Sequence, residues 1–179
     1  MAEIKFTKME GAGNDYIYVN LFEETVQKQE ELAREMSHRR FGVGSDGLIF
    51  IAPSDSADVR MIMHNSDGSE SEMCGNGIRC VGKYAYDNKL VTGTSITVET
   101  GDGIKPISLI TDSRNMITAA SVEMGTPVLN AAEIPSLLTG DRIVDFPFDF
   151  DGFSLKGTLV SMGNPHLITY VDDVENTPV

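Results

Sequence analysis

Residues 64–80 read HNSDGSESEMCGNGIRC and hold the side chains best suited to chemistry. Cys74 stands immediately before Gly75-Asn76-Gly77, a turn that opens a helical run. Free backbone N–H groups and the positive end of the helix dipole meet at such a position. They stabilise a thiolate, which suits a base or a nucleophile. The same N–H groups make an anion site, so a carboxylate bound beside Cys74 could take the amides of Gly75 and Asn76. Asn65 and Asn76 add neutral donors and acceptors that fit a zwitterionic amino acid. The plainer alternative is a small buried cysteine beside glycines that only form turns. Cys80, in the body of the helix, reads as core. His166 follows Gly163-Asn164-Pro165 at the head of a strand. Alone it would be structural, but next to a thiol an imidazole could adjust the proton inventory.

Other readings of these residues fail on spacing. Cys74 and Cys80 are the whole thiol inventory. On a helix six residues advance by about 600°, which puts the two on different faces and makes a disulfide between them poor. The C-x5-C spacing is not that of zinc ligands, and only His38, His64 and His166 could complete a set, so no metal is expected. Residues 42–47 (GVGSDG) satisfy G-x-G-x-x-G, but the dinucleotide fingerprint needs a strand before it and a helix after it. Here a helix precedes and a strand follows, so the glycines read as a helix C-cap turning into a strand. No Lys-Ser or Lys-Thr pair follows a glycine-rich stretch, which rules out a Walker loop.

The elements that must position Cys74 are mostly strands. Segments 4–8, 16–19, 48–51, 59–64, 95–99, 107–111, 117–124, 155–161 and 167–171 are β-branched or alternating, and Gly, Asp, Asn or Pro separates them. Helices are predicted at 26–39, with Leu32, Ala33 and Met36 on one face, and at 77–88, with Ile78, Val81, Tyr84 and Ala85. Gly82 inside the second helix implies close packing or tertiary support. Strands outnumber helices without alternating with them, which predicts an α+β fold with largely antiparallel or mixed sheet.

The chain has 179 residues and 19.5 kDa, enough for one ordinary domain or one domain and part of another. With 14 Lys+Arg against 27 Asp+Glu, its formal charge of −13 repels phosphate backbones and anionic lipid. Nucleic acid and membrane are therefore not expected as partners. The apolar stretch 48–53 is far short of the roughly 18 residues of a membrane span, and residues 1–11 lack the pattern of a signal peptide. A cytoplasmic location is expected. An internal echo adds to this: Met9 with Gly13-Asn14-Asp15-Tyr16-Ile17 matches Met162 with Gly163-Asn164-Pro165-His166-Leu167 at an offset of 150 residues. It suggests a duplicated domain, with Pro127 and the 135–140 stretch as linker.

Four blocks, taken in order, resemble the signatures of diaminopimelate epimerases. They are Phe6-Thr7-Lys8-Met9 with Gly11-Ala12-Gly13-Asn14-Asp15; Arg40-Phe41-Gly42-Val43-Gly44 with Asp46-Gly47; residues 65–70 with residues 72–80; and Met162-Gly163-Asn164-Pro165-His166. The resemblance implies two similar domains of curved mixed or antiparallel sheet around a central helix: 1–125 holding Cys74, and 126–179 as linker and start of an incomplete second domain. It implies epimerisation between LL- and meso-diaminopimelate, a step in lysine and peptidoglycan precursor biosynthesis, with no cofactor. Its catalytic residues would be Cys74, as proton donor in the LL-to-meso direction, and His166. Its substrate-binding residues would be Asn14, Asn65, Gly75, Asn76 and Asn164. A small-molecule substrate is the implied partner, and a homodimer is permitted.

In the resembled family a second cysteine, from the second domain, faces the substrate carbon from the other side. The 150-residue offset would put it near position ~224, beyond Val179, and Cys80 cannot substitute for it. Two readings from other classes stay open: a non-catalytic amino-acid-binding fragment, and a related cofactor-independent racemase of the proline racemase kind.

Overall fold

A computed structural model describes residues 3–177. Two compact units divide the chain, Met1–Glu123 and Met124–Val179. The first is an eight-stranded mixed sheet with a helix on each face. Its strands are β1 (Thr7–Gly11), β2 (Asn14–Asn20), β3 (Gly47–Ala52), β4 (Val59–Asn65), β5 (Glu70–Ser71), β6 (Ser95–Thr100), β7 (Gly103–Thr111) and β8 (Ile117–Val122). They lie in the order β1-β2-β3-β4-β6-β7-β8, with β5 beside β4. The helices are α1 (Gln29–Ser37) and α2 (Gly75–Asp87). The β2–β3 and β4–β6 pairs are parallel and the rest antiparallel.

The period of two in the central strands builds both cores at once. Tyr16, Tyr18, Ile49, Ile51, Met61 and Met63 face α2, where Ile78, Val81 and Ala85 meet them. The alternate residues Ile17, Val19, Leu48 and Phe50 face α1 and its Ala33. Because both faces are covered, β3 is buried at every position and reads as one apolar run.

The sheet curls around α2. That helix touches β1 and β8, the two edge strands, as well as β2, β4, β6 and β7. Seven flat strands would hold those edges about 29 Å apart, at roughly 4.8 Å per step. A helix of 13 residues is only about 20 Å long. Contact with both edges therefore needs a curved sheet. Gly82 supports the close fit, since a Cβ there would sit 3.0 Å from Leu109 Cδ2.

Several boundaries differ from the sequence expectation, each for a physical reason. β1 runs to Gly11 instead of ending at Lys8, because Ala12 and Gly13, both at positive φ (51° and 91°), form a two-residue hairpin turn into β2. α1 begins at Gln29 instead of Val26. Val26 packs on the α1-side core from the preceding loop, so its apolar side chain extends the helical pattern past the helix itself. α2 begins at Gly75, two residues early, because Cys74 serves as its N-cap.

The second unit has a 3-10 turn at Ala131–Glu133 and a three-stranded antiparallel sheet of β9 (Phe146–Phe150), β10 (Phe153–Ser161) and β11 (Pro165–Thr169), with β10 in the middle. β9 lies outside the strands read from the sequence; it contains Pro147, and as an edge strand it tolerates the missing donor. The Asp151-Gly152 pair that links β9 to β10 has positive φ at both residues, 48° and 82°, a hairpin signal that was open to reading.

Residues 42–47 close α1 and lead into β3, as the order of elements implied. Gly42 N–H donates to His38 O, Gly44 N–H to Met36 O and Ser45 N–H to Ser37 O, at 2.8, 2.9 and 3.1 Å. A Cβ on Gly42 would lie 2.2 Å from Glu35 O and 2.6 Å from Met36 O, both backbone atoms that cannot move aside cheaply. Gly42→Ala is expected to destabilise the unit by about 2–4 kcal/mol; urea denaturation with an unchanged slope and a lower midpoint is the expected result.

Candidate active site at the start of α2

β2 and β3 are parallel and β4 runs against them, so the start of β2, the start of β3 and the end of β4 share one edge of the sheet. The register Tyr16↔Gly47↔Asn65 fixes this row. The first turn of α2 arrives at the same edge: Asn76 Nδ2 donates to Asn14 Oδ1 at 2.5 Å. A Cβ on Gly11, at the end of β1, would lie 2.8 Å from Asn76 O. The hairpin is thus clasped against the helix start, and only glycine fits there.

Cys74 has extended backbone (φ −137°, ψ 114°) and caps α2 with its side chain, Sγ accepting from Gly77 N–H at 3.4 Å. Its carbonyl accepts from Ile78 N–H at 2.9 Å. The N–H groups of Gly75 and Asn76 have no possible partner within the helix. They stand beside a half-buried sulfur, together with the positive end of the dipole. The arrangement can hold a carboxylate and put a carbon atom of that ligand within reach of Cys74.

Two tyrosines on the inner face of β2 support the helix start. Tyr16 is buried beside Cys74; burial first, then the neighbouring Cys74, raises its pKa, so the phenol stays protonated as a donor. Tyr18 donates to Gly77 O at 3.2 Å. Cys80 is buried and donates to Glu10 O at 3.5 Å. Burial pushes its thiol up from the ordinary value, as expected for a packing residue.

The site residues taken from the sequence fall into three groups. Asn14, Cys74, Gly75 and Asn76 come together at the start of α2. Asn65 stands on the same edge of the sheet, with its Nδ2 donating to Ser69 Oγ at 3.0 Å. Asn164 and His166 belong to the second unit, exposed, with His166 Nε2 3.1 Å from Asn164 Oδ1. Sequence reasoning gave no role to Tyr16, Asp46 or Arg79. The i, i+2 alternation of Asn14, Tyr16 and Tyr18 carried the signal for the first; nothing local marked the other two.

Asp46 belongs to a charged cluster under the edge. Arg39 Nη2 pairs with Asp15 Oδ1 and with Asp46 Oδ1, both at 2.7 Å, and Lys8 Nζ lies 2.9 Å from Asp15 Oδ2. Arg39 foremost, with Lys8, holds the Asp15 carboxyl well below the usual carboxylate range. The Asp15 side chain is only 21% exposed, so solvent screens these pairs incompletely.

Comparisons with known proteins place this geometry. The fold is shared with a phenazine biosynthesis protein of the PhzF family from Bacillus anthracis (TM-score 0.64, 21% identity, 94% of this chain and 56% of that one). It is also shared with a probable proline racemase from Agrobacterium radiobacter K84 (TM-score 0.73, 15% identity, 98% and 54%). These define the curved-sheet architecture alone. At the level of sequence, the family model described as diaminopimelate epimerase matches residues 6–130. Proteins named diaminopimelate epimerase are 51% identical in Agathobacter rectalis (96% of this chain, 62% of the relative) and 47% identical in Methanococcus maripaludis (98% and 63%). The relative in Desulfovibrio desulfuricans is 49% identical (97% and 62%). The chain belongs to the diaminopimelate epimerase family, and it spans about 62–63% of the length of these curated relatives.

Two outcomes follow from this geometry. The Asp15 carboxylate is favoured in the folded state, so its stabilisation is complete above the ordinary carboxylate pKa of about 3.9 and is lost as pH falls through the lower folded value. Thermal unfolding should show Asp15→Asn less stable than the unsubstituted protein at pH 7, with the gap closing below about pH 4. Alkylation at pH 7 should label Cys74 before Cys80, and Cys80→Ala should cost on the order of 1 kcal/mol; peptide mapping that finds Cys80 labelled first would reverse the assignment of the two thiols.

Proposed function

We propose that this chain supplies one face of a two-thiol, cofactor-independent epimerase that interconverts LL- and meso-diaminopimelate. The observation that carries the reading is the Cys74 sulfur at the start of α2, beside the free amides of Gly75 and Asn76 and the side chains of Asn14 and Asn76. Membership of the family and the names of the relatives supply the substrate class.

Inversion needs an acid–base group on each side of the carbon. One thiolate takes the α-proton while a thiol on the opposite face delivers its own, so a turnover leaves the two sulfurs with exchanged protonation. The negative charge that develops spreads into the substrate carboxylate, where the α2 amides and the asparagine donors stabilise it. In this reading Cys74 gives the proton in the LL-to-meso direction. Asn65 and Asn164 complete the grip on the substrate, and His166 adjusts the proton inventory. The first domain is taken as 1–125, with 126–179 opening a second similar one.

The opposing thiol would come from the part of the relatives' length that this chain does not span. Cys80 does not serve, being buried against Glu10 and Tyr18. Among the described residues no helix is long and apolar enough to cross a membrane, and with the charge of −13 this supports a cytoplasmic enzyme free of nucleic acid.

The test uses the full-length protein in deuterated water, following both the epimer ratio and the α-deuterium by NMR. Cys74→Ala and Cys74→Ser should each lose inversion by at least about a thousandfold, because neither alanine nor a hydroxyl replaces a thiol as acid and base, with the thermal midpoint nearly unchanged. Retention of the unsubstituted inversion rate by Cys74→Ala would refute the reading. Material shown by mass to consist of these 179 residues alone should not invert.

A further inference from the structure

The two amides beside Cys74 lie in the middle of a hydrogen-bonded chain that runs in one direction between opposite charges. Arg79 donates to Asn76 Oδ1. Asn76 Nδ2 donates to Asn14 Oδ1 at 2.5 Å, and Asn14 Nδ2 donates to Asp46 Oδ2 at 3.2 Å. The chain begins on a cation and ends on an anion, and Arg39 holds that anion from the other side. The Asp15 N–H also donates to Asp46 Oδ2, at 3.3 Å, and the Asp46 N–H to Asp15 O, at 2.8 Å, so the acceptor is fixed in place.

Charged ends decide which way each amide faces. Turning the Asn14 amide over would set its carbonyl oxygen against the Asp46 carboxylate. Turning the Asn76 amide over would set its NH2 group against the Arg79 guanidinium, and its oxygen against that of Asn14. Both alternatives put like against like in a half-buried site, where such contacts are screened poorly. Each amide NH2 has two hydrogens and uses one within the chain. The second hydrogen of Asn14 and of Asn76 remains for a ligand.

We infer that Asp46 and Arg79 are positioning residues: they fix the Asn14 and Asn76 amides as donors toward a carboxylate bound at the start of α2. This rests on the reading of that site as the substrate carboxylate's. Neither residue needs to touch substrate. They act through the amides, Arg79 on Asn76 and Asp46 on Asn14, and the bond between the two amides couples them although they make no contact with each other.

The experiment measures KM and kcat for diaminopimelate in the full-length protein, with thermal midpoints for every variant. Arg79→Met and Asp46→Asn should each raise KM by about 5- to 20-fold with kcat little changed, and Arg79→Lys should recover part of the loss. The double variant should be worse than either single one, since one charged end still sets the direction of the amides once the other is lost. In an Asn14→Ala background Asp46→Asn should lose most of its effect on KM, and in an Asn76→Ala background Arg79→Met should lose most of its own, whereas a general loosening of the fold would persist in both. If Asn14→Ala raises KM while Arg79→Met and Asp46→Asn leave it unchanged, the positioning role is wrong and the carboxylate site stands. Undiminished effects of Asp46→Asn on KM in the Asn14→Ala background, or of Arg79→Met in the Asn76→Ala background, overturn the role as well. If Asn14→Ala leaves KM unchanged, the reading of the site itself fails and the inference falls with it.

Discussion

The first turn of α2 carries N–H groups that no residue of the helix can satisfy, and the rest of the unit is arranged around that deficit. Cys74 takes one of them with its sulfur. Those of Gly75 and Asn76 are held at the sheet edge beside the same sulfur. A Gly-Asn-Gly start has poor helix propensity, and a cysteine is a weak cap by the usual ranking. Tertiary contacts make up the difference: Tyr18 reaches Gly77 O, Asn14 receives the Asn76 amide, and Gly11 lies against the Asn76 carbonyl. The helix start is stable because of what surrounds it, which leaves its own donors unused.

The curvature of the sheet serves the same end. Only a curled sheet brings β1 and β8 onto one helix, and the resulting core holds Ile78, Val81 and Ala85 at essentially zero exposure. A helix gripped along its length cannot tilt to follow a ligand. Its N-terminus is therefore a fixed reference for Cys74 and for the asparagines, and preorganised donors of this kind stabilise developing charge without reorganising during the reaction.

Much of this was legible in the residues. The surplus of short strands gave the α+β class, and the apolar spacing of Ile78, Val81 and Ala85 gave the buried face of α2. The order helix, glycines, strand around Gly42 and Gly47 identified a helix closure and not a nucleotide loop. Even the 150-residue echo has a backbone counterpart, since Gly13 and Gly163 both have positive φ, 91° and 100°, before an asparagine that follows a strand. What escaped was set by distant contacts or by turn chemistry. The hairpin at Ala12-Gly13 moved β1, the edge strand β9 carries a proline that only an edge tolerates, and Val26 mimicked a helical residue from a loop. Asp46 and Arg79 escaped for a further reason: their meaning lies in the direction of a hydrogen-bonded chain, and only assembled side chains have a direction.

The claim on which the account turns is that the amides opening α2 receive the substrate carboxylate beside Cys74. Titrating diaminopimelate into the full-length, 15N-labelled protein and following each N–H signal tests it directly. The account predicts that the largest shifts fall on the backbone N–H groups of Gly75 and Asn76 and on the Asn14 and Asn76 side-chain amides. Saturation of the protein with those four signals unmoved, and the large shifts on other elements, would contradict it.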